Sequence, residues 1–299
     1  MYLLLQQLIN GLAVGGIYAL IAIGYTMVYG ILFFVNFAHG DIYMLGAFCA
    51  FFVFTFLGIE VTGGAITVSQ FLIALIPSML ACAALGVVIE RFAYRPIRNG
   101  SRLSAMISAL GASIFLSNAA TYLFGSQTKP MPKLFAGKYF TVGSATISYI
   151  QTAVLIVSLI LMILLHIFIK HTKLGKAIRA VSDDQRAAVL MGIDMDMVIS
   201  ATFAIGSALA GAAGIMVGVY YASIYPTMGG IAGIKAFTAA ILGGIGNIPG
   251  AMLGGILLGI IESLGGAYIS FGYRDAIAFV VLIIALCAMP TGILGKGRS

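Results

Sequence analysis

The chain alternates between long runs free of charge and short polar breaks. A helix that crosses a bilayer needs about 20 apolar residues, and that length divides the sequence. The runs predict helices over 8–34, 42–57, 65–89, 103–124 and 149–169, a sixth over 197–222 and a last over 276–294. The stretch 226–262 is longer, rich in glycine, and interrupted at Gly243-Gly244-Ile245-Gly246-Asn247-Ile248-Pro249-Gly250. One broken crossing and two passes both fit it. The expectation is an all-α, polytopic transmembrane helical bundle of eight to nine spans with broken or re-entrant helices, forming a single domain over 1–299.

The breaks set the topology. Residues 90–102 hold Arg91, Arg95, Arg98 and Arg102 against Glu90, and 170–196 is the longest polar stretch. Basic excess places both on the cytoplasmic side. Parity puts 125–148 outside in spite of Lys129, Lys133 and Lys138. Within it, Tyr139-Phe140-Thr141-Val142 and Ala145-Thr146-Ile147 flank Gly143-Ser144, which predicts a small hairpin. Lys296 and Arg298 place the C-terminus inside, and with an external N-terminus two passes over 226–262 give nine crossings. No basic residue precedes the first run, so it is expected to be a first span and not a cleaved leader.

Composition agrees with lipid as the outer solvent. The 299 residues are 61% hydrophobic and 8% charged, against roughly 25% charged in soluble domains. The net charge of +7 sits in short loops, which reads as topology control and excludes a nucleic-acid surface. Cys49, Cys82 and Cys287 lie within apolar runs and are expected to be small buried hydrophobes.

Candidate chemistry is sparse. No G-x-x-x-x-G-K-[ST] string is present, and His39, His166 and His171 make no metal spacing. The two breaks at 36–40 and 247–250 each set an asparagine and a glycine between apolar runs, which suggests related halves with a transport pathway at the breaks. Asn36, His39, Gly40, Asp41, Asn247 and Gly250 are therefore candidates to line a passage. The competing reading has Asp41 simply satisfying the first turn of the next helix. Glu262, near a span end, is expected at the interface.

Two further patterns concern packing and docking. Gly206, Ala210, Gly214 and Gly218 recur every four residues and make a flat stripe, suited to close helix approach in lipid. Gly246, Gly250 and Gly254 make another, and Gly11 with Gly15 a shorter one. In the polar stretch 170–196, Ser182 and Gln185 have capping-box spacing, Asp183 and Asp184 suit a helix N-terminus, and Gly192 suits its end. Arg186, Ala187, Ala188, Val189, Leu190 and Met191 would form a helix of two to three turns, marginal alone in water. It needs something to dock against.

The sequence resembles the permease subunits of bacterial branched-chain amino-acid ABC transporters of the LivH type. The resemblance rests on Tyr18-Ala19-Leu20-Ile21-Ala22-Ile23-Gly24-Tyr25-Thr26-Met27-Val28-Tyr29-Gly30, Asn36-Phe37-Ala38-His39-Gly40, Gly175-Lys176-Ala177-Ile178-Arg179-Ala180, Ala187-Ala188 with Met191-Gly192-Ile193, the Thr202–Gly214 run and Gly243–Ala251. It covers nearly the whole chain in order. It implies a transport subunit with no cofactor of its own, ATP and magnesium being held by partners. Those partners are a second related permease, two cytoplasmic ATPase subunits, and a periplasmic or lipid-anchored binding protein, all at the bacterial inner membrane. The family's ATPase-contacting loop has an Ala-Ala-x-x-x-Gly core, matched by Ala187, Ala188 and Gly192. Arg186 departs from the acidic residue that many importers of the wider class carry there. Similar architectures carry urea or short amides, an alternative the residues leave open. An ion-coupled transporter would call for intramembrane carboxylates, and a membrane enzyme for a clustered nucleophile or metal set.

Overall fold

The computed structural model describes residues 2–60, 64–98, 100–134, 138–142 and 145–295. Gly143, Ser144, Lys296 and Arg298 lie outside the described residues. Eleven α-helices are present among those described: α1 (Tyr2–Leu32), α2 (His39–Phe56), α3 (Val68–Ile89), α4 (Arg102–Phe124), α5 (Tyr149–His171), α6 (Lys173–Asp183), α7 (Gln185–Leu190), α8 (Met195–Tyr221), α9 (Met228–Gly243), α10 (Ile248–Tyr268) and α11 (Arg274–Ala288). Eight are long and apolar enough to cross a membrane, and α9 is a shorter apolar helix. The expected hairpin forms, with Tyr139–Val142 antiparallel to Ala145–Ser148.

Helices α1 and α8 form the centre, with 94% and 83% of their apolar windows buried. Helices α4, α5 and α11 ring them and present Ile114, Phe115, Ile160, Ile163, Ile283 and Ile284 outward. Apolar side chains on that outer ring are stable only with lipid around them. Where lipid removes the hydrophobic drive between helices, small residues let backbones touch and dispersion contacts supply the attraction. A methyl group added at Gly11 would lie 2.6 Å from Ile260 Cα, so α1 and α10 meet backbone to backbone. Gly206 faces Gly24 of α1, Gly214 faces Tyr43 and Ala47 of α2, and Gly218 lies under Met131 and Ile224. Ala210 is fully buried. The stripe on α8 thus packs within the protomer. Gly250 and Gly254 abut Gly243 and Ala239, whereas Gly246 precedes α10 and contacts nothing within 4 Å of its added methyl.

The chain repeats itself at an offset of 189 residues. Phe33 and Ala222 are the two non-glycine residues with positive φ among those described, and they end α1 and α8. His39 N–H then donates to Asn36 O, as Met228 N–H donates to Tyr225 O; Asp41 pairs with Ala38 as Gly230 pairs with Thr227. Helices α2 and α9 start face to face inside the bundle, where an added methyl on Gly229 would lie 2.6 Å from Gly40 O. The α1–α10 packing is mirrored by α8–α3. This corrects the register of the two halves. The break at 33–38 corresponds to 222–227, not to 247–250.

Three further expectations change. Residues 90–97 are not a loop: α3 continues through a π-turn over Glu90–Tyr94 and a 3₁₀ turn over Arg95–Ile97. Glu262 is not interfacial but 2% exposed. Cys82 is buried as expected, Cys49 is half-buried and Cys287 is exposed on α11.

Candidate functional site

One end of the bundle carries Arg91, Arg95, Arg98 and the basic helix α6, and will be called the basic end. Helix α6 begins where Thr172 caps it by accepting from Gly175 N–H at 3.0 Å. It buries Ile178 and Val181 and leaves its cations outward. Gly175 rides directly on the Phe168–Ile169 backbone, so α6 is folded back against α5.

The expected cap of α7 is displaced by two residues. Ser182 lies inside α6, and Asp184 is the N-cap, accepting from Arg186 N–H at 2.8 Å and Ala187 N–H at 3.0 Å. The extended backbone of Asp184 is what a cap needs, and its carboxylate outcompetes the serine because it also meets the positive helix end. Freed from capping, Ser182 Oγ donates to Gly30 O at 2.9 Å, and Gln185 Nε2 donates to Ile31 O. Both acceptors belong to the last turn of α1, just before the Phe33 turn that leads into α2.

On α7 the faces separate cleanly. Ala188 is 3% exposed, whereas Leu190 and Met191 are 88% and 82% exposed. Asp183, Asp184, Arg186 and Ala187 also face outward. Gly192 takes φ +81° and returns its N–H to Val189 O, ending the helix. The element is an apolar knob with a charged surround, braced on the end of α1. At the same end, Arg95 and Arg98 both donate to Asp196 at the start of α8, and Ser200 Oγ donates to buried Glu90 at 2.7 Å. These pairs fasten α3 to α8 at the basic end.

The residues around the first break are buried together. Tyr94 Oη donates to Asn36 Oδ1, joining the break to the turn that follows α3. His39 stacks edge-on against Tyr25 with ring centres 4.9 Å apart. Asp41 caps nothing: its carboxylate accepts from Ser113 Oγ at 2.5 Å and Ser117 Oγ at 2.7 Å, stapling α4 to α2. Gly40 sits at the α2–α9 crossing. Asn247 is the N-cap of α10, accepting from Gly250 N–H at 3.1 Å and donating to Leu294 O at 2.7 Å. The break thus forms one polar knot, and Asn247 with Gly250 lies apart from it.

A second polar cluster has no counterpart in the sequence reading. Lys235 of α9 meets Glu262 at 3.0 Å and Asp275 at 2.6 Å, Tyr18 Oη donates to Glu262 at 2.9 Å, and Arg274 Nε lies 3.5 Å from Glu262. The five residues come from α1, α9, α10 and α11, so no local spacing announces them.

Residues 7–286 match the family described as branched-chain amino acid transport system, permease component. The chain belongs to this family. It is 48% identical to the high-affinity branched-chain amino acid transport system permease protein LivH of Escherichia coli (strain K12), over 98% of this chain and 96% of that one. It is 47% identical to BraD, the corresponding permease protein of Pseudomonas aeruginosa, over 99% of this chain and 97% of that one. A probable LivH of Methanocaldococcus jannaschii is 30% identical over 92% and 88%.

Proposed function

We propose that the chain is the inner-membrane permease subunit of an ATP-binding-cassette importer and passes branched-chain amino acids. The observation that carries this is full-length membership of the permease family, with relatives near 48% identity that transport such amino acids by name. The chain is a transport subunit; ATP is hydrolysed by separate ATPase subunits, and a binding protein delivers the substrate. The finer assembly, with two ATPases below and a second related permease alongside, is the arrangement to which α7 is suited. The exposed Leu190–Met191 knob is the docking element, and the basic end is the cytoplasmic one.

The mechanism then follows from the bracing. Closure of the ATPases displaces α7, and Ser182 and Gln185 pass that displacement to the last turn of α1. The Phe33 turn joins α1 to α2, whose first turn crosses α9 at Gly40 and Gly229. Helices packed through small residues slide with little cost, and the α1–α2 and α8–α9 breaks let each half rock. Asn36, His39, Gly40 and Asp41 lie on this route and are the positions we assign to the moving part of the passage.

Reconstitution tests the reading. Vesicles holding the chain with its ATPases, second permease and binding protein take up leucine, isoleucine or valine only when ATP is hydrolysed, and unlabelled urea does not compete. Competition by urea would shift the substrate class to short amides. Uptake by vesicles containing this chain alone, driven by an ion gradient, would overturn the importer assignment.

A further inference from the structure

The end of the bundle opposite the basic end holds a cavity of about 300 Å³ between the starts of α1 and α11 and the ends of α8 and α10. Gln7, Asn10, Tyr221, Ser263, Phe271 and Arg274 are among the residues that line it. Its hydrogen-bond inventory is lopsided. Gln7 Oε1 accepts from Ser263 Oγ at 2.8 Å and from Asn10 Nδ2 at 3.2 Å. Asn10 Oδ1 accepts from Gln151 Nε2 at 2.7 Å and from Gln6 Nε2 at 3.4 Å. Both amide oxygens are thus occupied inside the protein, while the Gln7 amide nitrogen has no acceptor among the described residues. Arg274 adds a guanidinium to the wall. A wall with spare N–H donors and occupied amide oxygens suits a carboxylate, which accepts only.

Charge narrows the ligand further. Behind the wall, Lys235 and Arg274 are balanced by Glu262 and Asp275. A bare anion would leave this half-buried cluster with an unmatched negative charge, whereas a zwitterion brings its own compensation. Phe271 is 75% exposed, with Arg274 Cζ 5.1 Å from its ring centre, and Tyr221 lines the same cavity, so two aromatic rings stand in its wall. The volume stands at the small end of ligand sites, which begin near 300 Å³.

We propose that this cavity receives the α-carboxylate of an incoming amino acid, with the Gln7 amide and the Arg274 guanidinium as donors and Phe271 and Tyr221 against its side chain. This rests on the importer reading and adds the place where substrate first meets the permease.

The test uses the complete reconstituted assembly with leucine, measuring leucine delivered per ATP hydrolysed and the binding-protein concentration that half-saturates ATPase stimulation. Arg274→Gln removes the guanidinium. Gln7→Glu keeps both acceptor bonds from Ser263 and Asn10 but replaces the free donor with a negative charge, so it remains informative if Arg274→Gln fails to assemble. In both, leucine per ATP is expected to fall about tenfold, with the half-saturating concentration of binding protein unchanged. An unchanged ratio overturns the subsite. A raised half-saturating concentration also overturns it, because the cavity would then be a docking surface for the binding protein. A wild-type assembly that hydrolyses ATP without moving leucine overturns the importer reading beneath it.

Discussion

The Ser182 hydroxyl donates to the Gly30 carbonyl at 2.9 Å, across 152 residues of sequence. With Gln185 on Ile31 it forms the polar bridge from the junction of α6 and α7 to the end of α1. Coupling free energies between sites commonly correspond to factors of 5–150, and a bridge of two hydrogen bonds belongs at the low end of that range. Replacing both residues, Ser182→Ala with Gln185→Leu, is expected to lower leucine uptake by about fivefold or more. ATPase subunits should still co-purify, since Leu190 and Met191 are untouched. Normal uptake by the double variant would show that motion reaches α1 by another route.

The exposed and buried faces of α7 separate docking from folding. Leu190→Asp places a charge on a residue that is 88% exposed, so the permease should keep its thermal stability and lose its ATPases in a pull-down. Ala188→Asp is harsher, because Ala188 is 3% exposed and a buried unpaired carboxylate destabilises the permease itself. Gly192→Pro removes the N–H that Val189 O accepts and forces φ from +81° to about −65°, which unravels the end of α7. Retention of ATPases by Leu190→Asp would remove α7 as the docking element.

Close helix crossings give a stability prediction with an internal control. Gly40→Val would drive a branched side chain into the Gly229–Gly233 backbone of α9, while Gly230→Ala, one residue beyond the crossing, meets nothing within 4 Å. Overpacking a filled interface costs about 1–3 kcal/mol. Thermal denaturation in detergent should therefore show a clear loss for Gly40→Val and little change for Gly230→Ala. Equal melting temperatures would mean that α2 and α9 do not meet at these glycines.

The hydropathy pattern carried the crossings because bilayer thickness imposes a length that composition reveals directly. Helix ends were legible to within a few residues, as in α4 and α5. The cap of α7 is ambiguous in the sequence because Ser182 and Asp184 both satisfy local capping rules, and only the position of Gly30 decides between them. The repeat is masked in the sequence: 33–41 and 222–230 share a single identity, Gly40 with Gly229, while their backbone turns coincide. Asn247 offered a better match by composition and a worse one by geometry. Tyr94 with Asn36, Asp41 with Ser113 and Ser117, and Lys235 with Glu262 join residues from distant helices. One sequence holds no record of such pairs.

The Lys235–Glu262 pair supplies the last prediction. Glu262 is 2% exposed and receives Tyr18, Lys235 and, at 3.5 Å, Arg274. Removing one member of a buried ion pair leaves the other uncompensated, a loss of about 3–5 kcal/mol, whereas apolar replacement of both members is often tolerated. Glu262→Leu leaves Lys235 with Asp275 alone and takes from Arg274 its carboxylate partner, so it should lose the most stability of the three. Lys235→Met leaves Glu262 with Tyr18 and Arg274, so its loss should be smaller. The combination Lys235→Met with Glu262→Leu should be more stable than Glu262→Leu alone, though Arg274 then relies on Asp275 or solvent. Yield and thermal midpoint of the three variants measure this ordering, and a double variant no better than Glu262→Leu would show that the pair is not energetically coupled.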